Sequence, residues 1–401
     1  MKLYVIAVCY LFNFCRTKEA KEFLLSEKIN NFTLELLFFT NNTNNGGNLV
    51  LSPVTVWTSL LVLGEGATGD TQKEIGNALR VTPSSFRKGT IRRDFDVFIK
   101  NHEVNSSFLK IQKLSGIFID KNRLPEADFF QKALTYKTAF VPLDVLDSEK
   151  TNNDLRNLQA SLDKVKPIDV NDLGVENDVM VPYSAVYFRG LWTYHFDTFF
   201  TTKQPFYNDS GKRIGEVEMM YNRRIFPNVY NDILQAQAVE VPFADDDKSM
   251  IVFLPYAGVS LHDAFKNFAR SSFKEVIDEF QRTASATGRA KEILVVMPKI
   301  RTRTRVNLKS ALEKMGVFNI FDSAQSTLPL MARLPVYANK FVHNVKIDLN
   351  EEGVAMSDAM SSAIGTRVGG NSFIANRPFF YFIVEKMTNT ILFCGFYVAP
   401  A

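Results

Sequence analysis

The sequence has little cysteine and little histidine for its 401 residues. Of its three cysteines, Cys9 and Cys15 lie within the first fifteen residues and Cys394 lies in an apolar run near the C-terminus. Once those first fifteen residues are removed, no internal disulfide can form. The four histidines show no zinc-ligand spacing and no G-x-S-x-G elbow accompanies them. We therefore expect a protein that is not an enzyme and that needs no metal or cofactor.

The sequence also lacks linkers, repeats and low-complexity tracts, apart from residues 41–47. Hydrophobic residues make up 46% of the chain and phenylalanine occurs 35 times, which is ample for a large packed core. Length alone would permit two domains. Without a linker, one domain over residues 16–401 is the simpler prediction.

The N-terminus combines Lys2, an apolar stretch from Leu3 to Cys15, and the polar Arg16. This pattern is typical of a secretory signal peptide and is too short for a membrane span of about 20 residues. A retained anchor is the alternative for residues 1–15, and no other stretch could span a bilayer.

Cysteine usage alone would suggest a cytosolic protein. Four acceptor sequons favour glycosylation and secretion, although each is short enough to arise by chance: Asn31, Asn41, Asn105 and Asn208. We expect a secreted, extracellular glycoprotein.

The formal net charge of +4 is modest, so neither nucleic acid nor a membrane is expected as a partner. Two basic clusters are more local. The first recurs at period two, so an extended chain would project it from one face: Lys299, Arg301, Arg303 and Arg305. The second lies within about two turns of a predicted helix: Arg87, Lys88, Arg92 and Arg93. Either cluster could hold a glycosaminoglycan or another polyanion, and either could simply be a solvated face.

The C-terminal part of the chain carries the functional pattern. Val342–Leu349 alternates apolar and polar residues, which predicts a strand with one buried face. Residues from Val354 to Gly370 are small and polar and show no helical period, which predicts an exposed loop over about 350–372. The dense apolar runs Pro378–Ile383 and Thr390–Val398 then predict two buried strands. A loop of this length is uncommon in a compact domain and is usually functional or disordered.

The residues around this loop resemble the reactive-loop region of the serpins. The resemblance begins with Glu351-Glu352-Gly353, Ala355 and Ala359, and continues through Phe373–Phe379 and Asn389–Gly395. Further segments follow in the family's order from roughly Lys21 to Pro400, among them Asn48–Pro53, Gly64–Gly69, Ala185–Trp192, Met250–Pro255, Met297–Lys299 and Leu308–Gly316. Gly64–Gly69 also matches a dinucleotide fingerprint by letter, but the helix predicted before it is the wrong context. The resemblance implies an α+β fold with three β-sheets, about eight or nine helices and an exposed reactive-centre loop.

The resemblance also implies where the loop is cut. In serpins the scissile bond lies fourteen residues after the hinge glycine and about eleven before the proline of the next strand. Both counts, from Gly353 and from Pro378, give Arg367, so the expected scissile bond is Arg367–Val368. An arginine at this position fits the acidic pocket of a trypsin-like serine protease. The implied activity is inhibition by suicide-substrate trapping, in which a covalent acyl complex forms before the cut loop inserts into the central sheet. The alternative is that Arg367 is only an exposed loop arginine.

The hinge departs from the inhibitory pattern. It comprises Glu352, Gly353, Val354, Ala355, Met356 and Asp358. Met356 is bulky where the family has small residues, and burying Asp358 would cost several kcal/mol unless it is paired. The alternative is therefore a noninhibitory serpin that acts as a carrier, a binding partner or a cleavable substrate.

The residues that control opening of the central sheet also follow from the resemblance. It implies a sheet-opening region of Ser52, Thr55, Ser184, Trp192 and His343, in which the buried histidine bonds the three hydroxyls. Ser184 stands where the family usually has asparagine. A shorter side chain reaches less far, so a rearranged or water-bridged network is expected. We expect a monomer.

Overall fold

The computed structural model describes residues 24–43, 46–101, 106–144, 147–162, 179–245, 247–286, 292–355 and 371–400. Its α-helices are α1 (24–41), α2 (Pro53–Gly66), α3 (Gly69–Leu79), α4 (Pro83–Arg87), α5 (Thr90–Asn101), α6 (Ala127–Thr135), α7 (Ser148–Leu162), α8 (Leu261–Lys266), α9 (Phe273–Ala286) and α10 (Lys309–Lys314). Its strands are β1 (Leu49–Leu51), β2 (Leu109–Asp120), β3 (Thr138–Leu143), β4 (Met180–Gly190), β5 (Trp192–Tyr194), β6 (Thr202–Tyr207), β7 (Arg213–Arg224), β8 (Asn228–Asn231), β9 (Ala236–Pro242), β10 (Lys248–Pro255), β11 (Ile293–Pro298), β12 (Ile300–Asn307), β13 (Val342–Leu349), β14 (Gly353–Ala355), β15 (Ser372–Ile374), β16 (Phe379–Glu385) and β17 (Thr390–Tyr397).

The strands form three large sheets and one short pair. The sheet orders are β12-β13-β4-β2-β3, β1-β17-β16-β10-β9-β8, β15-β11-β7-β6 and β14-β5. The described part of the chain holds ten α-helices, of which α4, α8 and α10 have only five or six residues. The α+β class and the three principal sheets predicted from the sequence are thus confirmed, with β14-β5 as an addition.

The five-stranded sheet contains a parallel seam between its strands β13 and β4. Strand β13 runs parallel to β4, in a register that starts at Val342 opposite Tyr183 and ends at Asp348 opposite Arg189. Helix α7 packs across the outside of this sheet through Leu155, which belongs to a separate apolar cluster with Phe118, Tyr183 and Val342. The pair β14-β5 continues this seam, because β14 follows β13 and β5 follows β4 along the chain.

The six-stranded sheet supplies much of the aromatic core. Every residue of β10, β16 and β17 is buried. Phe253 stacks on Phe380 with ring centroids 4.8 Å apart, and Phe188 of β4 meets Phe393 of β17 at 4.9 Å. Phenylalanine side chains therefore pack within the six-stranded sheet and join it to the five-stranded sheet, and such aromatic pairs add stability beyond their buried area.

Several predicted boundaries are confirmed and two are corrected. The strand predicted at Val342–Leu349 is β13 exactly, and the two apolar runs near the C-terminus become β16 and β17. The predicted loop over about 350–372 is shortened at both ends. Gly353–Ala355 and Ser372–Ile374, which fall at the two ends of the predicted range, are strands paired to β5 and β11. Their own side chains gave no strand pattern; backbone pairing to neighbours distant in sequence makes them strands. No helix among the described residues is long and apolar enough to cross a membrane.

Candidate functional site

The two ends of the predicted reactive loop are fixed to different sheets. Strand β14 ends at Ala355 beside β5, and β15 begins at Ser372 beside β11. The described part of the loop is thus limited to these two feet. The predicted scissile residues Arg367 and Val368, and the hinge residues Met356 and Asp358, lie outside the described residues, as do residues 1–15 and Asn105.

The first foot is held by backbone bonds to the end of the central sheet. Trp192 N donates to Glu352 O at 2.9 Å, and Phe196 N donates to Glu351 O at 2.9 Å. The indole Nε1 of Trp192 donates to Asn350 O at 2.7 Å. Trp192 itself is fully buried and stacks on Phe243 with ring centroids 4.6 Å apart. Its predicted place at the sheet opening therefore corresponds to a direct contact with the base of the loop.

Gly353 is required for this close approach. A Cβ atom at Gly353 would lie 2.4 Å from His195 N, 2.5 Å from His195 Cα and 2.8 Å from Trp192 O. All three are backbone atoms, which cannot move aside as a flexible side chain would. Glycine is thus the residue that lets β14 lie against β5. Of the other hinge residues, Glu352 and Val354 are exposed.

An ion-pair cluster anchors the residue before the hinge. Lys299 Nζ lies 2.9 Å from Glu351 Oε1 and 3.3 Å from a carboxylate oxygen of Glu218. Thr201 Oγ1 donates to Glu351 Oε1 at 2.8 Å. Burial alone would raise the pKa of the Glu351 carboxyl, but Lys299, its own backbone N–H and Thr201 outweigh burial and hold the pKa below its usual value. Burial alone would likewise lower the pKa of Lys299, and its two carboxylates raise it. A second pair joins Arg189 of β4 to Glu352.

These contacts correct the interpretation of the first basic cluster. Arg301, Arg303 and Arg305 are exposed on one face of β12, as the period of two predicted. Lys299 does not belong with them, because its side chain is only 16% exposed and is paired with Glu351. The sequence does not predict this anchor, since a contact between residues 299 and 351 leaves no local pattern. The paired acids Glu351-Glu352 beside Gly353 were its only sequence signal.

The second basic cluster is divided between two helices. Arg87 ends α4, and Gly89 has a φ of 61°, in the left-handed region. Helix α5 then begins at Thr90, so the prediction that the four basic residues lie within about two turns of one helix was wrong. Arg92 is also engaged, since its Nη2 lies 2.6 Å from Oε2 of the buried Glu65.

His343 lies beneath the parallel seam and is fully buried. Ser52 N donates to His343 Nε2 at 3.0 Å, and Ser184 Oγ lies 2.6 Å from His343 Nδ1. Because Nε2 accepts, the neutral ring carries its hydrogen on Nδ1 and donates it to Ser184. Burial lowers the pKa of His343 to about 3, so the ring stays neutral at physiological pH.

The structure brings the other predicted members of this region together, but of the three hydroxyls expected to bond His343 only that of Ser184 does so. Ser52 uses its backbone N–H, and Thr55 contacts Ser52. Ser52 Oγ lies 2.9 Å from Thr55 Oγ1, at the start of α2, and 3.4 Å from Leu392 O of β17. Ser184 sits on β4 directly opposite His343 on β13. The serine therefore reaches the imidazole directly, and the water bridge considered from the sequence is not needed. One set of hydrogen bonds thus joins both sides of the seam to α2.

The described sequons differ in their surroundings. Asn31 and Asn41 are half-buried in α1, and the Thr33 hydroxyl of the first sequon is buried and donates to Ile29 O. Asn208 lies in the turn before β7, where its Oδ1 accepts from Ser210 N and Lys212 N. Asn208 is therefore the sequon in a turn, as expected for an acceptor site.

Comparison with known proteins places these features in one family. The sequence model described as "Serpin (serine protease inhibitor)" matches residues 27–400. The chain is similar to Serpin B11 of Homo sapiens, with 26% identity over 92% of this chain and 97% of the relative. It is similar to Antithrombin-III of Mus musculus, with 28% identity over 88% of this chain and 77% of the relative. It also resembles Intracellular coagulation inhibitor 1 of Tachypleus tridentatus, with 26% identity over 88% and 84% of the two chains.

Solved structures agree on the fold. Uncleaved ovalbumin superposes with a TM-score of 0.80 at 19% identity, covering 94% of this chain and all of ovalbumin. Human thyroxine-binding globulin in complex with its hormone superposes with a TM-score of 0.79 at 19% identity, covering 95% of this chain and all of the globulin. At these identities the superpositions establish the fold alone.

Proposed function

Because the chain belongs to the serpin family, we propose that it is a secreted inhibitor of Arg-specific, trypsin-like serine proteases. In this proposal the protease serine attacks the carbonyl of Arg367, breaks the bond to Val368 and forms an acyl-enzyme. The freed N-terminal part of the loop then inserts between β4 and β13 and carries the protease with it. Insertion releases strain that the intact fold stores, so the intact fold is kinetically trapped.

The position of the hinge at the end of the parallel seam carries this proposal. Strands β4 and β13 pair through a parallel ladder, and Gly353 lies just beyond that ladder on the β13 side. A strand that enters here has both partners already aligned. Its backbone groups would gain pairs on two sides, which is the most favourable place for an exposed extended segment.

Strand β14 runs parallel to β5, so insertion requires a reversal of the chain. The register also changes, since β13 pairs Asp348 with Arg189 whereas β14 pairs Gly353 with Trp192. Between the two ladders, the segment from β13 to β14 therefore has two more residues than the segment from β4 to β5. Before insertion, the β14-β5 pair must separate and the chain must turn at Gly353. The Glu351 and Glu352 ion pairs then decide how easily this step occurs.

Inhibition and secretion are tested separately. Incubation of the protein with trypsin should inactivate the protease, and Arg367→Ala should abolish inactivation while Arg333→Ala, an exposed arginine paired with Glu126, should not. Equal inhibition by wild type and Arg367→Ala would contradict the assignment of the scissile bond. Expression of the full chain in cells that secrete should give a product in the medium that lacks residues 1–15. Retention of residues 1–15 would favour the anchor instead.

A carrier function is the second candidate, and a specific cavity favours it. A pocket of about 530 Å³ opens between the starts of α1 and α9 and the turn that joins β16 to β17. It is lined by apolar and charged side chains, among them Leu24, Glu27, Phe273, Lys274, Lys386 and Met387. Its volume suits a small molecule, and thyroxine-binding globulin shows the same fold with a bound hormone. Titration with thyroxine tests this function: saturable binding that Lys386→Ala and Lys274→Ala weaken supports it, and no binding contradicts it for this ligand.

A further inference from the structure

Two arginines at the end of β7 lie beside the two feet of the loop. Arg223 is opposite Leu294 on β11, and Leu294 is opposite Ser372, the first residue of β15. The guanidinium of Arg224 lies over the ring of Tyr194, 5.4 Å from its centroid. Tyr194 pairs with Ala355, the last residue of β14. One arginine therefore flanks each point at which the loop leaves the body of the protein.

Neither arginine has a carboxylate partner among the described residues. Both side chains are half-buried, and the Nε atom of each is buried without a hydrogen-bond acceptor. By contrast, Arg189 is paired with Glu352, and Arg80 is paired with Glu35. Partly desolvated donors without an acceptor cost free energy. A guanidinium presents a fork of donors that matches a carboxylate, so an anion is the partner that suits the outer nitrogens of each arginine.

We propose that Arg223 and Arg224, which project from opposite faces of the sheet as consecutive residues of β7, form a two-part docking surface for acidic side chains on the protease that attacks the loop. The proposal rests on the proposed function, because a protease engaged on the loop must cover the region between its feet. Val354 and Ile374, which are 50% and 42% exposed on the two feet, offer apolar contacts within the same footprint. Charged groups at the rim of an interface act mainly on the rate of association and on partner choice. The arginines would thus select among trypsin-like proteases that all accept Arg367.

The test compares anionic and cationic isoforms of trypsin, which share a specificity for arginine but differ in surface charge. The second-order rate constant for cleavage at Arg367 is measured at several ionic strengths. We expect the wild-type chain to react faster with the anionic isoform. In the double variant Arg223→Ala, Arg224→Ala, the rate constant with the anionic isoform should be about tenfold lower than in wild type at low salt. The difference should be much smaller at high salt. Its rate with the cationic isoform should change little.

Three controls make the result specific. The double variant Arg223→Lys, Arg224→Lys keeps the charge and should keep most of the rate. Arg333→Ala removes an exposed charge that is paired with Glu126, and should leave the rate unchanged. Thermal unfolding of each variant confirms that it is folded.

The outcomes separate this inference from the proposed function. A double alanine variant that matches wild type with the anionic isoform, or that slows equally with both isoforms, overturns the docking surface while leaving Arg367 as the cut residue. A wild-type chain that neither isoform cleaves at Arg367 overturns the proposed function and the docking surface with it.

Discussion

The ion pair between Glu351 and Lys299 is expected to hold the base of the loop, and Glu351→Gln tests it. The glutamine keeps the shape of the side chain but leaves the Lys299 ammonium facing a neutral amide. Glu351 and Lys299 side chains are only 9% and 16% exposed. Breaking a buried pair from one side costs about 3–5 kcal/mol. Lys299 retains Glu218 at 3.3 Å, so we expect the lower end, about 3 kcal/mol.

For a chain of this size, about 3 kcal/mol corresponds to a fall of about 4 °C in the unfolding midpoint. The midpoint is followed by circular dichroism at one fixed scan rate, since the kinetic trapping that we propose would make unfolding depend on a rate. Glu352→Gln is the matched control. The side chains of Glu352 and Arg189 are 47% and 44% exposed, so loss of their ion pair should cost less than about 1 kcal/mol.

The pH dependence gives a second, independent reading. The folded-state pKa of Glu351 lies below its unfolded value of 4.5. The contribution of the pair is therefore complete above about pH 4.5 and is lost as pH falls through the folded pKa. The midpoints of wild type and Glu351→Gln should converge in that acid range. Equal shifts for Glu351→Gln and Glu352→Gln at neutral pH, or a difference that persists at low pH, would refute the reasoning.

Three further predictions concern the hinge and the seam. Gly353→Ala should separate β14 from β5, because the added Cβ would meet the His195 backbone, and hydrogen exchange at the Ala355 amide should become faster. Gly116→Ala is the control, because a Cβ added there would lie 3.5 Å from its nearest neighbour. Unchanged exchange in Gly353→Ala would argue against the close approach. Ser184→Ala removes the acceptor from His343 Nδ1 and should destabilise the protein by about 1–3 kcal/mol, measured in urea, whereas no change would mean that the bond is dispensable. Asp358→Ala should raise the fraction of encounters with trypsin that end in a trapped complex, because no charge then has to be buried; an unchanged or lower fraction on denaturing gels would count against burial of Asp358.

The sequence predicted those parts of the molecule that have a local or a family pattern. The alternation in Val342–Leu349 gave β13 without error. The resemblance brought Ser52, Thr55, Ser184 and His343 together, and the structure places them within hydrogen-bond distance across the seam. Periodicity and motif order are sufficient for such features, because they are properties of single elements.

What the sequence did not predict depends on contacts between distant segments. The period of two grouped Lys299 with three arginines, but its pairing with Glu351 takes it out of that face. The strand character of Gly353–Ala355 comes from β5, not from its own residues. Arg223 and Arg224 gave no signal, because their lack of an acid partner among the described residues is visible only after the chain is folded.

The most direct test of protease trapping is the fate of the loop when the protein is incubated with trypsin. The reaction is stopped in denaturant, resolved by denaturing electrophoresis, and the released C-terminal fragment is weighed by mass spectrometry. Trapping after cleavage at Arg367 predicts a denaturant-stable complex with the protease and a fragment that begins at Val368. Cleavage at Arg367 without a complex would contradict trapping and leave a substrate-like, noninhibitory serpin.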